Sequence, residues 1–375
     1  MNIALLGFGV VGGGVWELCR EREDLNVTRV LLRSDKPEVA HIATRNFEDI
    51  LNDPTVDTVA EVMGGLHPAY EYVTAALKAG KHVVTANKAL IAAYYNELTA
   101  LAVENGVALR CTAAVGGGIP WLVNLERCKR LDTINEVGGI MNGTTNFIMD
   151  AMHRSPISFP EILKTAQELG YAEADPSADI DGNDIRRKLV ISANIAFDAS
   201  LDEEAIPMFG IRHVTDGDIK TFQSHGFVCK LIATAARAEN GVCAYIEPTL
   251  VDSHELEAAV PVNFNLITYI AENIGRQSYY GQGAGRFPTA ANVVQDCLDV
   301  LNGQRAFYAD AAAPTALDGS AEAHPYYVRW NEKDAWLDSI TADRWESGVV
   351  TGAVNAYEML RWAAAHPGCS IAGIR

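Results

Sequence analysis

The chain has 375 residues, 49% hydrophobic and 21% charged, a profile that excludes disordered and collagen-like proteins. Its 30 Lys and Arg and 48 Asp and Glu give a net charge of -18, which opposes binding to nucleic acid or to an anionic membrane. No apolar run of about 18 residues and no secretory signal pattern is present. The seven cysteines are scattered without a C-x-x-C pair, which argues against a disulfide framework and against a zinc site. This cysteine pattern predicts a cytoplasmic location.

Short apolar runs alternate with longer amphipathic stretches in the first 112 residues. The strands predicted there are Ile3–Leu6, Val27–Leu32, Thr58–Val62, His82–Thr85 and Val107–Arg110. Such alternation is typical of crossover units, so we predict an α/β fold that begins with a Rossmann-type parallel sheet. The strands lack polar alternation, which agrees with a sheet covered on both faces.

The segment Ala114–Pro120 interrupts regular structure and predicts a junction to a second, mixed α+β domain. Strands are predicted there at Ile134–Met141, Val228–Ala236, Val242–Val251 and Ser278–Gly281, and helices at Thr144–His153, Phe159–Leu169 and Asp184–Phe197. Asn265–Ile274 fits either a helix or a strand.

A glycine-rich turn separates the first strand from a helical pattern that reaches about Arg22. It consists of Gly7, Phe8, Gly9, Val10, Val11 and Gly12. Glycines allow a tight turn and let backbone N–H groups approach a pyrophosphate at the positive end of the helix, which predicts a dinucleotide site. The alternative is a turn that packs the helix on the strand without a ligand.

The end of the second strand carries basic residues where NAD-selective proteins place an acidic one. Arg33 lies at that position, and with Ser34 and Lys36 it favours a 2′-phosphate and so NADP(H). Asp35 leaves NAD(H) possible. The alternative is a solvated basic turn.

Two further polar segments, Glu61–Gly65 and Thr85–Lys88, follow predicted parallel strands. Open α/β sheets bind their ligands at the carboxyl ends of the strands. Lys88 is therefore predicted near the nicotinamide and the substrate, although a lysine after a strand is more often a surface residue.

Five motifs together resemble homoserine dehydrogenase in order and approximate spacing. They are Gly7–Gly12, Val84–Leu90, Val115–Pro120, Gly139–Ile148 and Gly170–Lys188, with further similarity at Gly281–Gly285 and Pro288–Ala290. The resemblance covers about four fifths of the chain. It implies reversible NADPH-dependent reduction of L-aspartate 4-semialdehyde to L-homoserine, in threonine, methionine and isoleucine biosynthesis, by a homodimer.

The resemblance also implies domains and residue roles. It assigns residues 1–113 to an NAD(P)-binding domain, residues 114–320 to a catalytic and dimerisation domain, and residues 321–375 to a short C-terminal segment. It assigns Lys188 as the proton donor and acceptor, with Lys88 and Asp184 as further catalytic residues. The substrate ligands that it implies are Glu173, Asp179 and Asp184, and the further cofactor contacts are Gly170 and Gly281.

The residues themselves agree with these roles. Asp184 and Lys188 are four residues apart at the start of a predicted helix, so they share one face. The alternative is an exposed ion pair. The nearby acids Glu173, Asp175, Asp179 and Asp181 would suit a substrate ammonium group. Oxidation of an alcohol requires the hydroxyl proton to leave, and a lysine whose pKa is lowered by burial or by a second cation can accept it.

Family members often bind sodium through backbone oxygens of a Val-x-Gly-x-Ile segment and an upstream carboxylate. Val115, Gly117 and Ile119 match that segment, but Thr112 occupies the carboxylate position, which leaves sodium binding open because hard cations prefer charged oxygen ligands. A glycine-rich domain hinge is the alternative.

The C-terminal region departs from the family pattern. Tyr326–Trp330 resembles the first strand of a regulatory ligand-binding domain, and only 45 residues follow it, which predicts a shortened or degenerate version. Two other functions stay open. A semialdehyde dehydrogenase that acts through a thioester needs an activated cysteine, for which Cys111 is the nearest candidate. A catalytically silent NADP(H) sensor would have no need of Lys88, Glu173, Asp184 and Lys188 together.

Overall fold

The computed structural model describes residues 1–304 and 313–375. The strands are β1 (Asn2–Leu6), β2 (Asn26–Leu31), β3 (Ala43–Thr44), β4 (Thr58–Glu61), β5 (His82–Thr85), β6 (Leu109–Arg110), β7 (Ile134–Ile140), β8 (Phe227–Ala238), β9 (Gly241–Asp252), β10 (Phe264–Ala271), β11 (Gly275–Gln282), β12 (Ala323–His324), β13 (Tyr326–Arg329), β14 (Thr341–Arg344), β15 (Val349–Thr351), β16 (Val354–Asn355) and β17 (Ser370–Ile374). The α-helices are α1 (Val10–Arg20), α2 (Glu48–Leu51), α3 (Ala69–Lys78), α4 (Lys88–Glu104), α5 (Trp121–Lys129), α6 (Gly143–Arg154), α7 (Phe159–Glu168), α8 (Ser177–Ile180), α9 (Asn183–Phe197), α10 (Asp216–Ser224), α11 (Arg286–Leu301), α12 (Ala335–Ile340) and α13 (Ala356–Ala365).

Packing divides the chain into two units, each built from separate segments. Unit 1 comprises Met1–Thr133, Val190–Ser200 and Gly281–Pro314, and unit 2 comprises Ile134–Leu189, Leu201–Tyr280 and Thr315–Arg375. The division falls within α9, whose residues up to Leu189 belong to unit 2. The three-part domain scheme drawn from the sequence stays a prediction.

Unit 1 contains a six-stranded parallel sheet in the order β3-β2-β1-β4-β5-β6. This is the strand order of a Rossmann fold, so the predicted parallel sheet is confirmed. Residues Ile3 to Leu6 of β1 are completely buried because the strand is central in the sheet and covered on both faces. The two-residue strand β3 is an addition that the sequence pattern did not predict.

Helix α11 covers one side of this sheet together with α1. A Cβ atom on Gly14 of α1 would lie only 2.9 Å from Ala290 Cβ, and one on Gly13 would lie 3.2 Å from Arg286 Nη2. The small residues of α1 therefore let the two helices approach closely. Val293 and Cys297 of α11 join the core that the sheet forms beneath them.

Unit 2 contains a nine-stranded sheet in the order β11-β10-β7-β8-β9-β17-β13-β15-β14. The pairs β10–β7, β7–β8 and β8–β9 are antiparallel, and β17 pairs with β9 in parallel. A mixed second sheet agrees with the predicted fold class. Most of the segment Asn265–Ile274, which fitted either a helix or a strand, belongs to strand β10, which ends at Ala271 and pairs with β7.

The C-terminal part of unit 2 holds more regular structure than its weak sequence pattern predicts. Strands β13, β14, β15 and β17 with helices α12 and α13 follow one another as βαββαβ, and their sheet order is β17-β13-β15-β14. Tyr326, Val328, Met359 and Trp362 belong to the hydrophobic core of this region. The prediction of a degenerate regulatory domain stays a prediction.

Candidate active site

The Gly7–Gly12 turn in unit 1 has the geometry of a nucleotide-binding turn. Gly7 has a φ of 99°, a left-handed conformation that favours glycine. A Cβ on Gly12 would lie 2.3 Å from the Gly7 carbonyl oxygen, so only glycine allows the helix to start this close to the strand. At Gly9, the residue before α1, a Cβ would meet no atom within 4 Å, so its backbone faces open space.

Not all residues of the turn are equally accessible. Val10, the first residue of α1, is 68% exposed, whereas Val11 packs against the hydrophobic core. Of the turn's residues, Gly7, Phe8 and Gly9 line a neighbouring cavity, so we expect these three to make the closer approach to a ligand.

A cavity of about 390 Å³ lies beside this turn. It is lined by Gly7, Phe8, Gly9, Leu31, Leu32, Arg33, Ser34, Lys36, Arg45, Val62, Met63, Pro68 and Tyr72. The predicted residues Arg33 and Ser34 thus share one cavity with the glycine turn. Arg45 was missed from the sequence, and its Nη2 atom lies 2.7 Å from Asp35 Oδ1, so Asp35 is paired with a cation.

A buried network holds the carboxyl ends of β4 and β5. Glu61 is completely buried; its Oε1 accepts a hydrogen bond from Met63 N (2.7 Å) and its Oε2 accepts one from Thr85 Oγ1 (2.6 Å). Burial raises the pKa of Glu61, and these hydrogen bonds oppose that rise. Asn87 Oδ1 then accepts a hydrogen bond from Leu90 N at the start of α4 (3.1 Å). The network thereby fixes Lys88, the half-buried first residue of that helix.

The start of α9 in unit 2 contains a buried ion pair. Lys188 Nζ lies 2.8 Å from Asp184 Oδ2, and the two residues are only 7% and 6% exposed. Lys188 Nζ also donates a hydrogen bond to the Met141 carbonyl oxygen (2.7 Å). The alternative of an exposed surface pair is therefore wrong.

Asn142, which the sequence analysis did not single out, connects the predicted acids. Its Nδ2 donates to Asp179 Oδ1 (2.7 Å) and to Asp184 Oδ2 (2.8 Å), while its Oδ1 accepts a hydrogen bond from Thr145 N (2.8 Å) and caps α6. One amide thus fixes two carboxylates against the end of a helix. A substitution of Asn142 would therefore alter the positions of both carboxylates.

The other acids of the loop have different partners. Asp175 Oδ1 accepts hydrogen bonds from the backbone and hydroxyl of Ser177, and Asp181 forms an ion pair with Arg212 at 2.7 Å. Glu173 is exposed. Ser177 and Arg212 therefore hold Asp175 and Asp181 in place. The assignment of Glu173, Asp179 and Asp184 to a substrate ammonium group stays a prediction.

The remaining predicted residues lie elsewhere. Gly170, in unit 2, follows α7 with a φ of 75°, and a Cβ there would meet no atom within 4 Å. Gly281, in unit 1, packs against the side chain of Ile119. Among the residues that the structure describes, no group of three or more His, Cys, Asp and Glu side chains has an arrangement that could hold a metal ion.

The parallel sheet, its strand order and the glycine turn define unit 1 as the nucleotide-binding part of an NAD(P)-dependent enzyme. A family model described as "Homoserine dehydrogenase, NAD binding domain" matches residues 7–112, and one described as "Homoserine dehydrogenase" matches residues 120–298. The chain therefore belongs to the homoserine dehydrogenase family, as the sequence motifs predicted.

Individual relatives agree with the family models. A homoserine dehydrogenase of Bacillus subtilis is 39% identical over 319 residues, which cover 81% of this chain and 74% of the relative. The homoserine dehydrogenase of Corynebacterium glutamicum is 41% identical over 317 residues, 80% of this chain and 71% of the relative. The crystal structure of a homoserine dehydrogenase from Thiobacillus denitrificans matches with a TM-score of 0.89 at 32% identity, over 100% of this chain and 98% of that one.

The burial of the cysteines bears on the thioester alternative. Cys111 is completely buried, and burial raises the pKa of Cys19 to about 11 and that of Cys229 to about 12, so these thiols are poor candidates for a thioester-forming nucleophile. None of the helices in the described ranges 1–304 and 313–375 is both long and apolar enough to span a membrane.

Proposed function

We propose that the chain reduces L-aspartate 4-semialdehyde to L-homoserine with NADPH, in the synthesis of threonine, methionine and isoleucine, with Lys188 as the proton donor. The observation that carries the proposal is the burial of Lys188 between Asp184 Oδ2 and the Met141 carbonyl oxygen. A buried lysine held by a carboxylate is a suitable general acid, since its position is fixed and water is largely excluded.

The reduction requires a hydride and a proton. The reduced nicotinamide, when bound, supplies the hydride to the aldehyde carbon. Lys188 gives a proton from its ammonium group to the aldehyde oxygen, and the C=O bond becomes a C–H and an O–H bond. In the reverse direction the neutral amine of Lys188 takes the hydroxyl proton as the hydride leaves.

The acids of the α9 region are assigned to the amino-acid part of the substrate. Glu173, Asp179 and Asp184 would attract the ammonium group, and Asn142 keeps the last two at fixed positions through its amide. Asp184 thus orients both the substrate and Lys188. Lys88 is assigned, on the family resemblance, as the second lysine of the reaction.

The cofactor assignment rests on charge. Arg33, Lys36 and Arg45 line the cavity beside the glycine turn, with Ser34 among them. Guanidinium and hydroxyl groups bind phosphate oxygens well, and the basic residues of this cavity outnumber the nearby acid Asp35, so a 2′-phosphate fits this cavity better than a bare ribose. Gly7, Phe8 and Gly9 would hold the pyrophosphate.

The cofactor choice is tested by comparing initial rates with NADPH and NADH. Arg33→Ala should lower the ratio of kcat/KM for NADPH over NADH by roughly 10-fold or more, because a charge-assisted contact contributes about 1.5–3 kcal/mol. Arg22→Ala, which breaks an exposed pair with Asp24, is the matched control. An unchanged ratio in Arg33→Ala would oppose the assignment.

The catalytic role is tested with two lysines in the same sequence setting. Lys188→Ala should reduce kcat by roughly 10²–10⁴-fold and leave NADPH binding, measured by fluorescence titration, nearly unchanged. Lys220→Ala removes an exposed lysine that also follows an aspartate by four residues, and it should retain full activity. High residual turnover in Lys188→Ala would refute the role of this residue.

We further propose that the protein is a homodimer in the cytoplasm, as the resemblance and the scattered cysteines suggest. All seven cysteines are buried, which suits a reducing compartment. Light scattering coupled to size-exclusion chromatography would measure the mass in solution, and a mass of one chain would oppose the dimer.

A further inference from the structure

The segment Val115–Ile119 in unit 1 is the part of the chain that resembles a sodium-binding turn. Gly116 and Gly117 have φ values of 84° and 55°, so the turn depends on two left-handed glycines. A Cβ on Gly117 would lie 2.5 Å from the carbonyl carbon of Gly283, which shows how closely another backbone segment packs here. The carbonyl groups of such a buried turn need partners.

Asn292 of α11 supplies these partners. Its Nδ2 atom donates to the Gly117 carbonyl oxygen (2.5 Å) and to the Ile119 carbonyl oxygen (3.1 Å), and the residue is only 6% exposed. A carboxamide has two N–H donors on its nitrogen, so each carbonyl can receive one. The two acceptors also fix the orientation of the amide, because its own oxygen would be repelled by both.

The nearby carboxylate of Asp296, which could have served a cation, binds Thr112 and Arg110 instead. Asp296 lies one turn after Asn292 and is completely buried. Its Oδ1 accepts hydrogen bonds from Thr112 Oγ1 (2.7 Å) and Arg110 Nε (3.1 Å), and its Oδ2 accepts one from Thr112 N (2.8 Å). The buried guanidinium of Arg110 is shared between two carboxylates, since its Nε pairs with Asp296 and its Nη2 pairs with Asp299 (2.5 Å). Both oxygens of Asp296 are thus held by Arg110 and Thr112. Thr112 itself, at the family's carboxylate position, offers no charged oxygen.

A sodium ion therefore does not fit this turn. Two of the three backbone oxygens that the resemblance assigns to it already accept hydrogen bonds from an amide, and no charged ligand stands at position 112. We propose that the Asn292 carboxamide replaces the cation. Its two hydrogen bonds to the Gly117 and Ile119 carbonyl oxygens hold the Val115–Ile119 turn to α11, so that this enzyme folds and functions without a monovalent cation.

The wild-type chain gives the first test. Thermal unfolding and kcat/KM are measured for the whole protein in sodium chloride and in choline chloride at the same ionic strength. We expect the same midpoint and the same kcat/KM in both salts. A midpoint that rises with increasing sodium, but not with choline, would overturn the proposal, because it would mean that the folded protein binds the ion.

The Asn292→Asp variant gives the second test, since it exchanges two N–H donors for a carboxylate of the same shape. Three oxygen groups would then face one another and require a cation. We expect a lower midpoint than wild type in choline chloride and a recovery of roughly 3 °C or more in sodium chloride. Asn124→Asp, which alters an amide that donates to the Pro120 carbonyl, should show no such recovery.

Equal midpoints of Asn292→Asp in the two salts would overturn the proposal, because the carboxamide would then not occupy a cation-like position. If Asn292→Asp does not fold in either salt, the wild-type comparison decides: sodium-independent unfolding supports the proposal and sodium-dependent unfolding rejects it.

Discussion

Helices α9 and α10 begin with the same charge pattern and differ in what surrounds it. Each carries an aspartate followed by a lysine four residues later, at distances of 2.8 Å in α9 and 3.4 Å in α10. The side chains of Asp184 and Lys188 are each 9% exposed, whereas those of Asp216 and Lys220 are 59% and 68% exposed. The spacing brings the charges together in both helices. Only the packing of distant segments makes one pair suitable for chemistry.

The largest expected effect is on folding stability when the buried pair is broken. Asp184→Ala leaves the Lys188 ammonium buried without its carboxylate, which should cost about 3–5 kcal/mol of unfolding free energy. Urea unfolding followed by circular dichroism measures this loss. A loss of less than 1 kcal/mol, roughly the size expected of a surface pair, would mean that burial does not distinguish the two helices.

A smaller effect is expected from the amide that holds the acids at α9. Asn142→Asp keeps the cap on α6 but places a third carboxylate beside Asp179 and Asp184. Repulsion should displace them and lower kcat/KM for homoserine roughly 10- to 100-fold, with a rise in KM as well as a fall in kcat.

The control for this variant is Asn355→Asp. Asn355 caps α13 through its Oδ1 and donates from Nδ2 to the Gly319 carbonyl oxygen, so it repeats the geometry of Asn142 with a neutral acceptor. Its kinetics should be those of wild type. Loss of activity in both variants, or in neither, would argue against a specific role for Asn142.

A third prediction concerns a lysine that is buried without a carboxylate in hydrogen-bond contact. Lys230 is completely buried, and its Nζ donates to Asn146 Oδ1 (2.9 Å) and to the Val260 carbonyl oxygen (2.8 Å). Burial lowers its pKa from 10.5 to about 8. Between these values the unfolded chain binds more protons than the folded one, so the contribution of Lys230 to stability becomes more favourable as pH rises.

The measurement compares wild type with Lys230→Met at several pH values. The unfolding free energy of wild type minus that of the variant should rise by about 1 kcal/mol between about pH 7 and pH 9. Lys220→Met, which removes an exposed lysine, is the matched control. A flat difference for Lys230 would contradict its lowered pKa.

The smallest effect is expected at the exposed pair. Asp216→Ala should change the unfolding free energy by only about 0.3–0.5 kcal/mol, because solvent screens the interaction. Raising the salt concentration should remove most of that difference. A salt-resistant loss above 1 kcal/mol, again judged against typical surface pairs, would indicate that the α10 pair is more than a solvated contact.

The regular elements of the fold could be predicted because their patterns are local. The sequence predicted strands β1, β2, β4 and β5 from their apolar runs, and it predicted the glycine turn from its glycine spacing. The two-residue strands β3 and β16 carry too few residues for a period to appear, and β14 has only one apolar residue among its four.

The partners within the sites could not be predicted because they arrive from far along the chain. Asn142 meets Asp184 from 42 residues away, and Asn292 meets Gly117 from 175 residues away. Asp181, one of the acids crowded in the loop before α9, pairs with Arg212 from 31 residues away. Neutral amides give no sequence signal of their own, so Asn142 and Asn292 could be recognised only from their contacts.

The packing of α11 on α1 bears on how the chain folds during synthesis. All six strands of the first sheet have been made by residue 110, yet the glycine face of α1 is covered only by residues from Arg286 onward. On the ribosome, a nascent chain of about half length would thus carry all six strands with one apolar side of the sheet only partly covered by α1, and exposed apolar surface of this kind is what chaperones recognise. Unit 2 finishes later still, since β17 enters the middle of its sheet.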